Sequence, residues 1–399
     1  MDLVGQVALL GLRLRRLAPR LVTAWTGDPG LARRVDDEPP PNPAQVQTSA
    51  RLLAAQLPTA GLAETTTAHL VGQLATIGVR AGTLAGRAPG YQARVRICLQ
   101  VEAELADPEA YVRAHGELDA LLPGGGPLTD RWAEHRRTVA GPPALLARAA
   151  AAVTDALRER VGDEFHLPAG EQVVLRLDRT ARWNGFAGGA AGRSTTVTLA
   201  ADRPCWLGRL AQLIAHESYP GHHVQRLLRQ SAATRRPELA LELLGGPLAV
   251  LDEGLAEQAL AIAVGPGWGG WLAEVLAPLG RGALGSAYNG PLLEQIALAA
   301  APLGRARADA ALLLQHSGSA AAAAHLQRWA LSTPAGARRV LDFLADPVWC
   351  DYIWAPVLGA GLVGQWLGPD PDPLPRVAAL LQDPQPASTL APAAAGTAG

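Results

Sequence analysis

Leucine and valine recur every three or four residues from the first positions onward, with arginines between them, which is the period of an amphipathic helix. The stretch MDLVGQVALLGLRLRRLAPRLV therefore predicts an opening helix that ends near Gly27 and Asp28. Residues 27–45 (GDPGLARRVDDEPPPNPAQ) carry consecutive prolines and clustered charge, and predict a loop or linker. From about 46 to 160 the pattern is again helical, with breaks at Pro58, Pro89, the glycines 124–126 and Gly141-Pro142-Pro143. Thr129 is placed to cap one of these helices.

The period then changes. Residues 171–178 (EQVVLRLD) and 193–200 (RSTTVTLA) alternate and are β-branched, so they predict two strands of a small antiparallel β element. The glycine-rich WNGFAGGAAG (183–192) connects them. Asp202 is positioned to cap a helix with Pro204 in its first turn, running through LGRLAQLIAHES. Helical patterns return over 247–264, 269–278, 290–329 with interruptions, and 336–345. GAGLVG (359–364) is formally GxGxxG, but without room for a βαβ unit it is read as close helix packing. Residues 383–399 hold few core-formers and are expected to be disordered.

The expected fold is thus mainly α, with a helical region over 1–160, a catalytic region over 161–368 and a Pro/Ala-rich tail over 369–399. The chain has 399 residues, of which 49% are hydrophobic, enough for a sizeable core. Thirty-five basic residues balance 36 acidic ones, which argues against a nucleic-acid partner. Every basic residue is arginine. With no lysine there is no Walker-type phosphate loop, no Schiff base for pyridoxal phosphate and no Ser-Lys dyad. Cys98, Cys205 and Cys350 lie far apart, so neither a disulfide framework nor a thiolate metal knuckle is expected. No apolar run approaches the ~18 residues of a membrane span and no signal-peptide pattern opens the chain, so a cytoplasmic protein without a membrane partner is expected.

One segment carries chemistry. AHESYPGHH (215–223) puts His216, His222 and His223, three of the nine histidines, within eight residues, with Glu217 directly after the first. His-Glu on a helix is half of a zincin motif, in which an imidazole binds zinc and the adjacent carboxylate turns toward water. The usual second ligand falls four residues later, where this chain has Pro220. In an unbroken helix His223 would stand about 10 Å further along the axis than His216, too far to share an ion. Pro220 removes a hydrogen bond and Gly221 permits unusual angles, so a bulge can let the next turn begin late. His222 is then preferred as second ligand, with His223 the alternative. LDEGLAEQ (251–258) offers Glu253 as third ligand and Glu257 as its understudy, one turn apart on the next strong helix.

HESYPGHH followed by an EG-containing helix resembles the bacterial family called domain of unknown function 885, whose members share HExxPGHH and EGxA motifs and are regarded as zincin-like metallopeptidases. The resemblance covers residues 165 to 368. It implies His216, His222 and Glu253 as ligands of one zinc ion, other divalent metals being possible, and Glu217 as the catalytic carboxylate. Tyr219, His223 and Tyr352 are candidate donors to an oxyanion. The 193–200 strand, if it lies at a sheet edge, would pair with an extended peptide. The expected activity is hydrolysis of a peptide or amide bond. Alternatives are a metal-dependent enzyme acting on a small non-peptide amide or ester, and a silent helical binding protein in which His223 closes a structural site.

Overall fold

The computed structural model describes residues 1–139, 143–179, 185–200, 206–280 and 289–390. The N-terminal half holds α1 (Leu3–Leu17), α2 (Pro29–Asp36), α3 (Pro43–Gln56), α4 (Glu64–Leu84), α5 (Tyr91–Leu99), α6 (Pro108–Leu121), α7 (Leu128–Thr138) and α8 (Pro143–Val161). The opening helix stops at Leu17, well before Gly27, and Pro19 leads instead into a strand, β1 (Val22–Trp25). Part of the expected linker is helical as well. Asp28 caps α2 by accepting from the Gly30 N–H, and Pro29 sits at the first helical position, where no donor is lost. Thr129 lies inside the first turn of α7 and is not its cap.

After α8 come β2 (Gln172–Asp178), β3 (Gly185–Ala191) and β4 (Ser194–Ala200), then α9 (Leu207–Glu217) and α10 (His222–Ala232). The sheet order is β2-β4-β3, with β4 parallel to β2 and antiparallel to β3. The element is therefore mixed and not antiparallel. Its glycine-rich connection contains a strand of its own, so the chain reverses twice between β2 and β4 and brings them back in the same direction. Because β4 is the central strand, both its edges are taken and it cannot pair with a substrate. β5 (Leu241–Leu243) pairs antiparallel with β1.

The remaining helices are α11 (Ala249–Glu257), α12 (Ala259–Ala263), α13 (Trp268–Leu276), α14 (Gly290–Ala300), α15 (Ala306–His316), α16 (Gly318–Trp329), α17 (Pro334–Leu344), α18 (Pro347–Tyr352), α19 (Trp354–Leu367) and α20 (Leu374–Gln382). The protein is mainly helical. No helix among the described residues is long and apolar enough to cross a membrane. α9 begins at Leu207 with Trp206 at its N-cap position, so Asp202 is not its cap and Pro204 is not in its first turn. Asp202, Pro204, Cys205, the break at Gly141-Pro142 and the tail 391–399 lie outside the described residues. Cys98 and Cys350 are buried free thiols.

The largest core joins the two halves of the chain. Leu146, Val153 and Leu157 of α8 meet Leu210, Leu213 and Ile214 of α9, so the boundary expected at 160 falls inside one hydrophobic cluster. The expected tail also belongs to it. Val377, Leu380 and Leu381 recur at helical spacing and give α20 an apolar face, which buries in this core with Ala387 beyond it. Folded chain thus continues past the point where disorder was expected.

Candidate metal centre

α9 buries Leu207, Leu210, Ala211 and Ile214, which presents His216 near its C-terminal end. The helix closes at Glu217, and Ser218 leaves helical geometry (φ −122°, ψ −92°). The Tyr219–Pro220 peptide is cis. Gly221 then folds back onto the end of α9, its N–H donating to the Ala215 carbonyl at 3.1 Å. A Cβ at Gly221 would stand 1.8 Å from the His216 carbonyl oxygen, so no other residue fits this close approach. α10 begins at the next residue, His222. The expected bulge is therefore a full break between two helices, and it places the two imidazoles edge to face with centroids 4.7 Å apart.

The third group comes from α11. Gly254 of the EG pair lies where α11 crosses α19. A Cβ there would meet the Gly359 carbonyl oxygen at 2.5 Å, and a Cβ on Gly359 would meet that of Val250 at 2.2 Å. The GAGLVG segment is thus a close helix crossing, as its reading from the sequence expects. With the backbones in contact, Glu253 faces the histidine pair. Its Oε1 lies 3.3 Å from His222 Nε2 and its Oε2 3.6 Å from His216 Nε2. One donor atom from each of these three residues lies within 4.8 Å of the others. Donors bound at ~2 Å to one tetrahedral ion stand roughly 3.3 Å apart, so the His–Glu separations suit a shared zinc.

The outer partners suit it too. A ligating imidazole is ordinarily held by a partner on its other ring nitrogen. His216 Nδ1 lies 3.5 Å from Glu257 Oε1, and His222 Nδ1 is 3.1 Å from Gln225 Oε1. Gln225 in turn donates to the Asp252 carbonyl at 2.9 Å, tying α10 to α11. Glu257, the understudy for third ligand, is thus the neighbour of His216 and stands outside the three-donor group. The Tyr352 hydroxyl donates to Glu253 Oε1. The side chains of His216 and His222 keep 14% and 26% of their surface exposed, so the centre opens to solvent.

Electrostatics bind the group together. Burial favours neutral His222, but Glu253, with Glu217 and Gln225 behind it, overrides this and lifts its pKa from 6.5 to about 10. Burial likewise works against the Glu253 carboxylate, and His222, His216 and Tyr352 still pull it down to about 2. Burial and Glu253 push the Tyr352 phenol well above its ordinary value, so it stays a donor. Glu217, 6% exposed at the end of α9, is close enough to contribute to the field on His222.

His223 is elsewhere. It is fully buried, with Nε2 2.6 Å from Glu171 Oε2 and Nδ1 2.7 Å from Thr195 Oγ1. Tyr219 also donates to Glu171, at 2.6 Å, and Arg158 contacts the other carboxylate oxygen. Burial lowers the His223 pKa, which suits a neutral ring that donates to Glu171 and accepts from Thr195. His223 and Tyr219 therefore anchor the helix break to β4 and to the residue before β2. They are not oxyanion donors, because their polar atoms are already used. Tyr352 does reach the centre, but its hydroxyl is given to Glu253.

Sequence reasoning missed Gln225, whose polar side chain on a helix face carries no local signal of its contacts with His222 and the Asp252 backbone carbonyl. No family model and no curated protein matches the chain. Among solved structures it is similar to one described as a "putative lipoprotein" from Colwellia psychrerythraea, at 15% identity and a TM-score of 0.51, over 90% of this chain and 68% of that one. A second, described in the same words and as of unknown function, comes from Shewanella oneidensis, at 13% identity and a TM-score of 0.47, over 85% of this chain and 70% of the other. At 15% identity the first likeness concerns the fold alone.

Proposed function

We propose that this chain is a zinc-dependent hydrolase of peptide or amide bonds, with a zincin-like site of the kind its HESYPGHH and EGLA segments resemble. The observation that carries the reading is the His216–His222–Glu253 group, three donors on three helices, partly open to solvent. Catalytic zinc sites use three protein ligands, whereas structural ones are closed by four. His223, the fourth ligand that a structural site would need, is committed to Glu171 and Thr195.

Zinc held there would supply Lewis acidity, acidifying water and polarising a carbonyl. Glu217 follows the first ligand and would take the proton from the attacking water, then return it to the departing amine. Glu253 is kept ionised by its histidines and oriented by the Tyr352 hydroxyl. Glu257 and Gln225 hold the two imidazoles with Nε2 turned inward.

The test is turnover of dipeptides and aminoacyl amides by metal-loaded protein, wild type beside Glu217→Gln. Wild type is expected to cleave at least one of them, and the variant to bind as much metal but lose about 100-fold or more in kcat. Equal activity in both proteins would remove Glu217 from the chemistry, and no turnover of any amide would remove the function.

A further inference from the structure

One face of α10 carries more than His222. His222, Gln225 and Arg229 stand at i, i+3 and i+7, so they share that face, and all three meet α11 at Asp252 or Glu253. His222 Nε2 lies 3.3 Å from Glu253 Oε1. The Gln225 side chain donates to the Asp252 carbonyl at 2.9 Å, and Arg229 Nη2 donates to the Asp252 carboxylate. The Arg229 side chain is 8% exposed, and its Nη1 lies 3.3 Å from Glu242 Oε2 on β5. Thr23 of β1 holds Glu242 in turn, donating to its Oε1 at 2.7 Å. Removing one member of so buried a set leaves an unmatched charge behind.

The contacts at Asp252 decide two things at the metal centre. Held by both its carbonyl and its carboxylate, Asp252 fixes the rotation of α11 about its axis, and the next residue is Glu253. The same carbonyl fixes the Gln225 amide. Reversing that amide would set oxygen against oxygen at Asp252 and turn the NH2 group toward His222 Nδ1. The neutral His222 ring would then carry its proton on Nε2, the atom that faces Glu253.

We propose that Arg229 is a positioning residue of the metal centre: by holding Asp252 it sets the direction of Glu253 and the tautomer of His222, and with them the affinity and geometry of the bound ion. This rests on the metal site of the hydrolase reading above. Arg229 Nε makes no hydrogen bond among the described residues, so the guanidinium bridges two carboxylates with one nitrogen each and does not fork onto one. A compact ammonium can occupy such a bridge, which makes lysine the informative replacement.

The test reads two quantities on wild type, Arg229→Gln, Arg229→Lys, Asp252→Ala and Glu242→Gln. They are zinc affinity, by competition with a chromophoric chelator, and the visible spectrum of the cobalt(II)-loaded protein. Arg229→Gln and Asp252→Ala are expected to bind zinc roughly 10–100-fold more weakly and to shift the cobalt bands, with Arg229→Lys restoring most of both. Glu242→Gln removes the outer carboxylate but leaves the Asp252 contact, and is expected to keep the wild-type affinity and spectrum. Wild-type behaviour in Arg229→Gln would overturn the proposal, as would a loss in Arg229→Lys as deep as in Arg229→Gln. So would equal losses in Glu242→Gln and Arg229→Gln, which would make Arg229 only an anchor for the β1–β5 ribbon, or no metal uptake by wild type. If Arg229→Gln does not fold, Asp252→Ala and Arg229→Lys carry the same comparison against Glu242→Gln. Metal binding that depends on Arg229, without turnover of any amide, would support the positioning role and sink only the hydrolase reading.

Discussion

Glu253 is surrounded by two imidazoles and a phenol, and this sets how protons and metal compete. Without metal, His222 keeps its proton up to about pH 10, far above its ordinary 6.5. The pairing contributes stability in full below pH 6.5 and loses it as pH rises through about 10. Glu253, lowered to about 2, contributes stability above its ordinary 4.5 that is lost as pH falls through about 2. Zinc needs a neutral imidazole, so its uptake at pH 7 must expel the His222 proton. Zinc titrations by calorimetry in buffers of differing ionisation enthalpy are expected to report about one proton released, with affinity falling about tenfold per unit of pH decrease. Heats independent of buffer would mean that His222 is neutral before metal arrives, against the pairing described. At this scale His216, Glu217, His222 and Glu253 are all legible in the sequence, because they sit in two short motifs. The committed role of His223 is not. Its partners, Glu171 and Thr195, lie 52 and 28 residues away, and no local pattern announces them.

Two glycines determine how the helices that carry these residues meet. Gly221 lets α10 start against the last carbonyls of α9, and Gly254 lets α11 touch α19 backbone to backbone. Gly254→Ala is expected to force the crossing apart, costing about 1–3 kcal/mol and weakening zinc binding as Glu253 withdraws. Gly361, on the same α19 but facing solvent with no atom near its would-be Cβ, is the control. Gly361→Ala is expected to be neutral or to stabilise by roughly 0.5–1 kcal/mol, since Gly is a poor helix former. Thermal melts with and without zinc read both, and equal tolerance at the two sites would refute the close crossing. The elements themselves were unevenly legible. Strong 3.6-residue periods announce most helices, whereas α19 (WAPVLGAGLVGQWL) is apolar nearly all round and offers no period to read. β3 hides because GFAGGAA has none of the β-branched alternation that marked β2 and β4. α2 hides behind prolines that turn out to stand at its entrance and beyond its exit.

Across the whole molecule, the centre depends on contacts far apart in the chain. Asp351, nearly fully buried beside Tyr352, is paired with Arg80 of α4 and Arg94 of α5, so N-terminal helices fix the residue that orients Glu253. The Tyr91 hydroxyl donates to the Cys350 carbonyl and accepts from the Trp354 indole, bracing the same turn. Such long-range ties are why two short motifs pointed to the three-donor group but not to the contacts that hold it. They predict that metal binding reports the integrity of the entire fold. The most direct measurement is elemental analysis of dialysed wild-type protein beside His222→Ala, both shown to be folded by circular dichroism. Wild type is expected to hold about one zinc per chain and the variant almost none, since losing one of three protein ligands leaves too few to retain the ion. Equal metal in the two proteins would contradict the centre built on His216, His222 and Glu253.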